Sequence, residues 1–165
     1  MYTIISATNR PGSHTEKVAM QYREILKTKG IEAGIFSLKN LDVLEKNADF
    51  SKAEREFLIP AQKFIFIMPE YNGSFPGVLK AMIDISDIRH AWWGKKALLT
   101  GVSTGRAGNL RGMDHITGVL NYVKVIVHPN KLPISVIDKV MAADGTINSS
   151  TLMVINQQLE EFINF

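Results

Sequence analysis

The chain has 165 residues, 45% hydrophobic and 21% charged, which suits one globular domain with a sizeable core and excludes a disordered segment. Nineteen basic against sixteen acidic residues leave a formal charge of +3. That is mild enough for a small anionic ligand, and no basic run, aromatic-basic interleaving or zinc-finger spacing points to nucleic acid. With no cysteine, disulfides, thiolate catalysis and cysteine-ligated metal clusters are ruled out.

Tyr2 to Ser6 is apolar and β-branched, as a buried parallel strand would be. The run is too short for a membrane span and has no basic region ahead of it, so a soluble, cytoplasmic protein is expected. After ATNRPGSHT comes a helix with Val18, Tyr22, Ile25 and Leu26 on one face, a capping box from Ser13 and Glu16, and a stop at Gly30. Ile31 to Leu38 is a weaker second strand. Ser51 and Glu54 fit another capping box, opening a helix that ends near Pro60. Phe64 to Met68 is the third strand, and a helix follows from Pro76 to about Arg89 with Val78, Leu79, Met82 and Ile83 inward. Lys96 to Gly101 makes a fourth strand, Leu110, Met113, Ile116 and Leu120 repeat at helical spacing, and Val123 to His128 is the fifth strand. The stretch on to Met141 is ambiguous, a strand extension being one reading. Asp144-Gly145 is a turn, and Leu152, Ile155, Leu159 and Phe162 stripe a last helix.

Five alternations of strand and helix predict an α/β domain spanning 1–165. Its plainest form is a three-layer α/β/α flavodoxin-like sandwich with a five-stranded parallel sheet in the order 2-1-3-4-5. Ligands of such sheets bind beyond the carboxyl ends of the strands, where strand order reverses. The three unusual loops, ATNRPGSHT, PEYNGSFPG and VSTGRAGN, follow strands 1, 3 and 4, the neighbours across that point.

The first loop gathers Thr8, Asn9, Arg10, Ser13 and Thr15 around a helix N-terminus, where free N–H groups and the dipole favour an anion. Ser13 could equally do no more than cap the helix. In the second loop, backbone amides and Gly73 would suit a flat ligand edge bearing carbonyl oxygens, and a planar face could lie against Tyr71. Tyr71 reads as well as a surface or subunit-contact aromatic. The third loop contains Gly101-Val102-Ser103-Thr104-Gly105, a match to the G-x-S-x-G nucleophile elbow. A serine triad would need Asp114 or a later acid and then a later histidine, of which only His115 and His128 follow Ser103; Asp114 and His115 are adjacent on one helix and point about 100° apart. No Walker loop is present, and His14, His90, His115 and His128 show no metal-ligand spacing, so no metal site is expected.

The segment PEYNGSFPGVLKAMID resembles the hallmark PEYNxSxPgxLKnaiD of the NADPH-dependent FMN reductase family, a group related to chromate, quinone and azo reductases. Pro69, Glu70, Tyr71, Asn72, Ser74, Pro76, Gly77, Leu79, Lys80, Ile83 and Asp84 fall in register. SATNRPGSHT is similar to the family's GSxRxxSxN-like phosphate loop through Arg10 and Ser13, and Ser103, Gly105, Gly108, Arg111 and His115 match SxGxxGxxRxxxH. Ala7, His14, Ala81 and Asn109 depart from the pattern. The resemblance implies an FMN cofactor with its phosphate on Arg10, Ser13 and Thr15, flanked by Thr8 and His14. It puts the ring edge and ribityl chain on Pro69 and the amides of Glu70, Tyr71, Asn72 and Gly73, and the other side of the flavin on Ser103, Thr104 and Gly105. NADPH or NADH would donate hydride, with Arg106 or Arg111 helping to hold its phosphate. The electrons would pass to a small-molecule acceptor: a quinone, a nitro or azo compound, a metal oxyanion or free flavin. A homodimer or homotetramer through the Pro76 to Asp84 helix is implied too. No side-chain nucleophile is needed, since the flavin carries the chemistry. The alternatives are a flavodoxin-like electron carrier, against which the net positive charge and the missing TGNT loop speak, and a hydrolase using Ser103.

Overall fold

Strand β1 (Tyr2–Ser6) lies between β2 (Ala33–Ser37) and β3 (Lys63–Pro69), parallel to both, in a computed structural model that describes residues 1–165. Its alternating side chains bury in opposite directions. Ile4 joins the core on one face of the sheet and Ile5 the core on the other, and neither is exposed. Strand β4 (Lys96–Val102) pairs with β3 over seven residues and, with β5 (Ile126–Val127) beyond it, extends the sheet in the order β2-β1-β3-β4-β5. The expected order and three-layer architecture are therefore what the chain forms.

Helices α1 (His14–Thr28), α6 (Ile137–Val140) and α7 (Ser149–Asn164) cover one face through Val18, Tyr22, Leu26, Ile137, Ile155, Leu159 and Phe162. The opposite face is covered by α2 (Ala48–Ala53), α3 (Gly77–Ile85), α4 (Ile88–Ala91) and α5 (Leu110–Tyr122), which bury Phe50, Met82, Ile83, Ala91, Met113 and Leu120. No helix is long and apolar enough to cross a membrane.

Four expectations need correction. The fifth strand, expected over Val123 to His128, shrinks to two residues, and a further strand forms in the ambiguous stretch beyond it, so the sheet has six strands. β5 (Ile126–Val127) pairs with Lys96 and Ala97, and β6 (Leu132–Ile134) rejoins the same edge opposite Thr100 to Val102. Pro129 sits in the gap and has no N–H for a ladder bond. The second strand is shorter than Ile31 to Leu38. The helix expected from Pro76 to Arg89 divides at Ser86, whose backbone is extended (φ −74°, ψ 159°), and Asp87 caps a new short helix by accepting from the His90 N–H at 3.0 Å. Trp92 fixes the break from inside the core: its indole N–H donates to Ser86 Oγ at 2.6 Å while its ring packs on Phe64 and Phe66.

The second capping box is also displaced. Asn47 is the cap, accepting from the Phe50 N–H at 2.8 Å, and Ser51 lies within the helix. Glu54 turns inward, buried, to accept from the Asp87 N–H and pair with Lys46 at 2.7 Å, where the helix loosens into a π-helical turn over Glu54–Leu58.

Candidate functional site

The carboxyl ends of β1, β3 and β4 carry the three loops singled out from the sequence. In the first, Ala7 is buried and donates its N–H to Ile67 O at 2.9 Å, so the residue in the usual glycine position extends the sheet pairing. Thr8 is 2% exposed; its hydroxyl bonds the Tyr71 hydroxyl at 2.6 Å and accepts the Arg10 N–H at 3.2 Å. Pro11 and Gly12 then turn the chain, Gly12 at φ 66° in the left-handed region that glycine enters freely. Ser13 caps α1 by accepting from the Glu16 N–H at 3.2 Å, so its capping role is real. The N–H groups of His14 and Thr15 and the Thr15 hydroxyl find no protein partner. The His14 ring is taken, with Nε2 2.9 Å from an Asp138 oxygen and Nδ1 3.4 Å from the Met141 sulfur.

The second loop is a miniature hairpin. Tyr71 and Ser74 exchange backbone bonds at 2.9 and 3.1 Å around Asn72 (φ 53°) and Gly73 (φ 76°), the two positive-φ residues of a type I′ turn. The Glu70 N–H is spent on Val102 O and the Tyr71 N–H on Ser74 O. Of the four amides from Glu70 to Gly73 expected to face a ligand, only those of Asn72 and Gly73 are free, which corrects half of that expectation. The Glu70 carboxylate accepts from the Asn109 N–H at 3.2 Å and so ties this loop to the next. Ser74 Oγ and His115 Nδ1 are bonded at 2.9 Å, and the Arg111 guanidinium packs beside Gly73.

In the third loop, Ser103 Oγ donates to Gly105 O and accepts from the Gly108 N–H, both at 2.9 Å. The hydroxyl closes its own loop. His115 is engaged with Ser74, and Asp114 is bonded to Lys131 at 2.8 Å, whose hydrogen bond and charge hold its carboxyl below the usual range. Serine, histidine and acid do not line up, which sets the hydrolase aside. The N–H groups of Thr104, Gly105, Arg106 and Ala107 are unpaired.

Asn109 holds this arrangement open. It is wholly buried in the left-handed conformation (φ 62°, ψ 30°), and its amide donates to Met68 O at 3.2 Å and Pro69 O at 2.9 Å. Asparagine is the side chain that enters this region most readily after glycine, so its standing in for a loop glycine has a physical reason. A Cβ on Gly101 would lie 2.0 Å from Gly108 O, and one on Gly112 2.0 Å from Asn109 Oδ1, so both neighbours need glycine. Behind the loop, Val136 and Ile137 donate N–H groups to Gly105 O and Ser103 O, each at 2.9 Å.

Two adjoining cavities of about 270 and 250 Å³ share Glu70, Ser103 and Thr104 and make one cleft. Arg10, Ser13, His14, Thr15, Pro69 and Tyr71 line the first part; Asn72, Gly73, Gly105 and Arg106 line the second. The singled-out loop residues thus converge, apart from Thr8, which bonds the Tyr71 hydroxyl, and Asn9 and Arg111, which are outside the lining. Neither Arg10 nor Arg106 has a carboxylate within ion-pairing distance. The sequence did not point to Ile137, which also lines the cleft from the stretch left ambiguous, or to Asn109 as an anchor. The Asn72-Gly73 dipeptide was a legible turn signal; nothing local marked Ile137. A larger open groove of about 860 Å³ between α1 and α7 lies outside these loops.

Comparison with known proteins gives the same direction. A family model described as NADPH-dependent FMN reductase matches residues 2–139. A 2-hydroxy-1,4-benzoquinone reductase of a Burkholderia species is 31% identical over 87 residues, 49% of this chain and 48% of that protein. A quinone reductase of Pseudomonas putida is 32% identical over 120 residues, 68% of this chain and 64% of that protein. The chain therefore spans about half to two-thirds of the length of these relatives. Among solved structures, FerB, an NAD(P)H:(acceptor) oxidoreductase of Paracoccus denitrificans, shares the fold with a TM-score of 0.77 at 20% identity, over 99% of this chain and 94% of that one. With a site built from the same three loops that carry its motifs, the chain belongs to the NADPH-dependent FMN reductase family.

Proposed function

We propose that this protein is an FMN-dependent NAD(P)H oxidoreductase that reduces a small acceptor of the quinone class. One observation carries the reading: the two ends of a single cleft offer different, unsatisfied donors. At one end are the Arg10 guanidinium, the Thr15 hydroxyl and the first amides of α1; at the other are six backbone N–H groups, those of Asn72, Gly73 and Thr104 to Ala107. FMN has the complementary pair of ends, a phosphate and a flat ring edge bearing carbonyl oxygens, so the residues present fit it.

When bound, the flavin supplies the redox chemistry, accepting a hydride from reduced nicotinamide and giving up two electrons to the acceptor. The chain's own part is binding and electrostatics. Arg10, Thr15 and the α1 amides would hold the phosphate. The amides of the second and third loops would face the ring carbonyls, where preorganised donors favour added negative charge. Glu70 and Asn109 tie those two loops together. The quinone class is supported by the names of the relatives, and nitro, azo, metal-oxyanion and free-flavin acceptors compete with it in the same assay.

Self-association through the Pro76 to Asp84 region belongs to this reading. A hollow of about 530 Å³ between α3 and α5, lined by Ile83, Ile88, Val119 and Tyr122, lies beside the Tyr122 ring, which is 88% exposed. A monomer by sedimentation at micromolar concentration would remove that element.

The decisive test is Arg10→Ala titrated with FMN and with riboflavin. The variant should lose about 1.5–3 kcal/mol of FMN affinity and leave riboflavin unchanged, because only FMN has the phosphate. Equal loss for both would contradict the phosphate assignment. FMN-loaded protein that oxidises neither NADPH nor NADH with a benzoquinone would end the enzyme assignment.

A further inference from the structure

The guanidinium of Arg10 stands over the ring of Tyr71, its Cζ 4.1 Å from the ring centroid. That ring is fixed at both ends. Its backbone is locked by the reciprocal bonds to Ser74 across the Asn72-Gly73 turn, and its hydroxyl by the 2.6 Å bond to the nearly buried Thr8. Arg10 is tethered to the same Thr8 through its own N–H, and Pro11 after it confines its backbone to extended conformations. No carboxylate competes for the guanidinium, and both residues line the cleft beside Ser13 and Thr15.

We propose that Tyr71 is a positioning residue that sets selectivity for a phosphorylated ligand, its ring serving as a platform for Arg10 and not as a stacking surface for the flavin. The inference rests on the flavin reading above. Its chemistry is a division of the guanidinium's surfaces. The flat face is attracted to the ring's electron-rich face, while the N–H donors lie in the guanidinium plane and stay free for phosphate oxygens. A long side chain held this way has less rotamer freedom to lose when a ligand arrives. The same contact occupies one face of the Tyr71 ring.

The test measures dissociation constants for FMN and riboflavin by flavin fluorescence quenching in wild type, Tyr71→Leu, Tyr71→Phe, Arg10→Ala and the Arg10→Ala/Tyr71→Leu pair. Tyr71→Leu should weaken FMN about fivefold and change riboflavin by less than about twofold. Tyr71→Phe, which keeps the ring and loses only the Thr8 tie, should fall between wild type and Tyr71→Leu. In the Arg10→Ala background, Tyr71→Leu should change neither affinity, because there is no guanidinium left to position. Equal weakening of both ligands, or an effect that persists without Arg10, would overturn the proposal and make Tyr71 a flavin contact.

A ligand-free measurement separates this inference from the reading beneath it. Ring current from Tyr71 should shift the Arg10 Cδ protons upfield in wild type, and Tyr71→Leu should abolish the shift. An ordinary Arg10 shift in wild type would overturn the platform itself. The upfield shift together with equal wild-type affinities for FMN and riboflavin would overturn the phosphate reading, and the selectivity role with it.

Discussion

The two ends of the cleft solve recognition in opposite ways. At the α1 end Ser13 caps the helix and the His14 ring is bonded, but the donors that matter stay free: the Arg10 guanidinium has no carboxylate partner and the Thr15 hydroxyl has no protein partner. At the third-loop end the side chains that shape the loop are consumed. Ser103 bonds within its own loop, Asn109 sews that loop to the end of β3, Glu70 accepts from Asn109, and the free donors are main-chain N–H groups. Substitution should therefore separate binding from stability at the first end and confound them at the second.

The largest effect is expected where backbone meets backbone. Gly101→Ala places a methyl 2.0 Å from Gly108 O, which no side-chain rotation relieves, and should cost about 3 kcal/mol in denaturant unfolding. A near-native unfolding midpoint would show that the third loop is not held rigid and would erase the contrast. Asn109→Ala comes next. It strips donors from Met68 O and Pro69 O and puts a poorly suited residue at φ 62°, for a loss of about 2–3 kcal/mol. Asn109→Gly keeps the backbone conformation and gives up only the bonds, so it should cost about 1 kcal/mol less than Asn109→Ala. If both variants are equally unstable, the hydrogen bonds and not the left-handed backbone define the role of Asn109. The smallest effect sharpens the other side. Thr15→Val should leave the unfolding midpoint almost unchanged while weakening FMN by about 1 kcal/mol in a fluorescence titration. A clear loss of stability there would mean that the hydroxyl has a structural partner after all.

The same division explains what was legible in the sequence. Strand order and the convergence of three loops follow from periodicity and from where glycine, proline and polar residues interrupt it, and the cofactor roles of the loop residues follow from the resemblance to the family's motifs. What escaped depends on contacts between distant segments. Ser51 followed three residues later by Glu54 has the local form of a capping box, yet Glu54 faces inward to meet the Asp87 N–H 33 positions away. Nothing near Ser86 announces that Trp92 will reach back and fix a helix break there. Tyr71 was a candidate stacking surface because its chemistry allows it; only the structure brings Arg10 over the ring. Ile137 lies in a stretch without periodicity and reaches the cleft because β6 returns its chain to the edge of β4.

That return has a consequence for how the molecule meets its own copies. A long open sheet margin invites strand addition from another chain, the first step of aggregation. Here the outermost strand is two residues long, is interrupted at Pro129, and resumes for three residues that include Pro133. With so few consecutive free donors and acceptors, this margin is a poor template for a visiting strand. Crowded copies should stay clear of β-type polymers growing from that side.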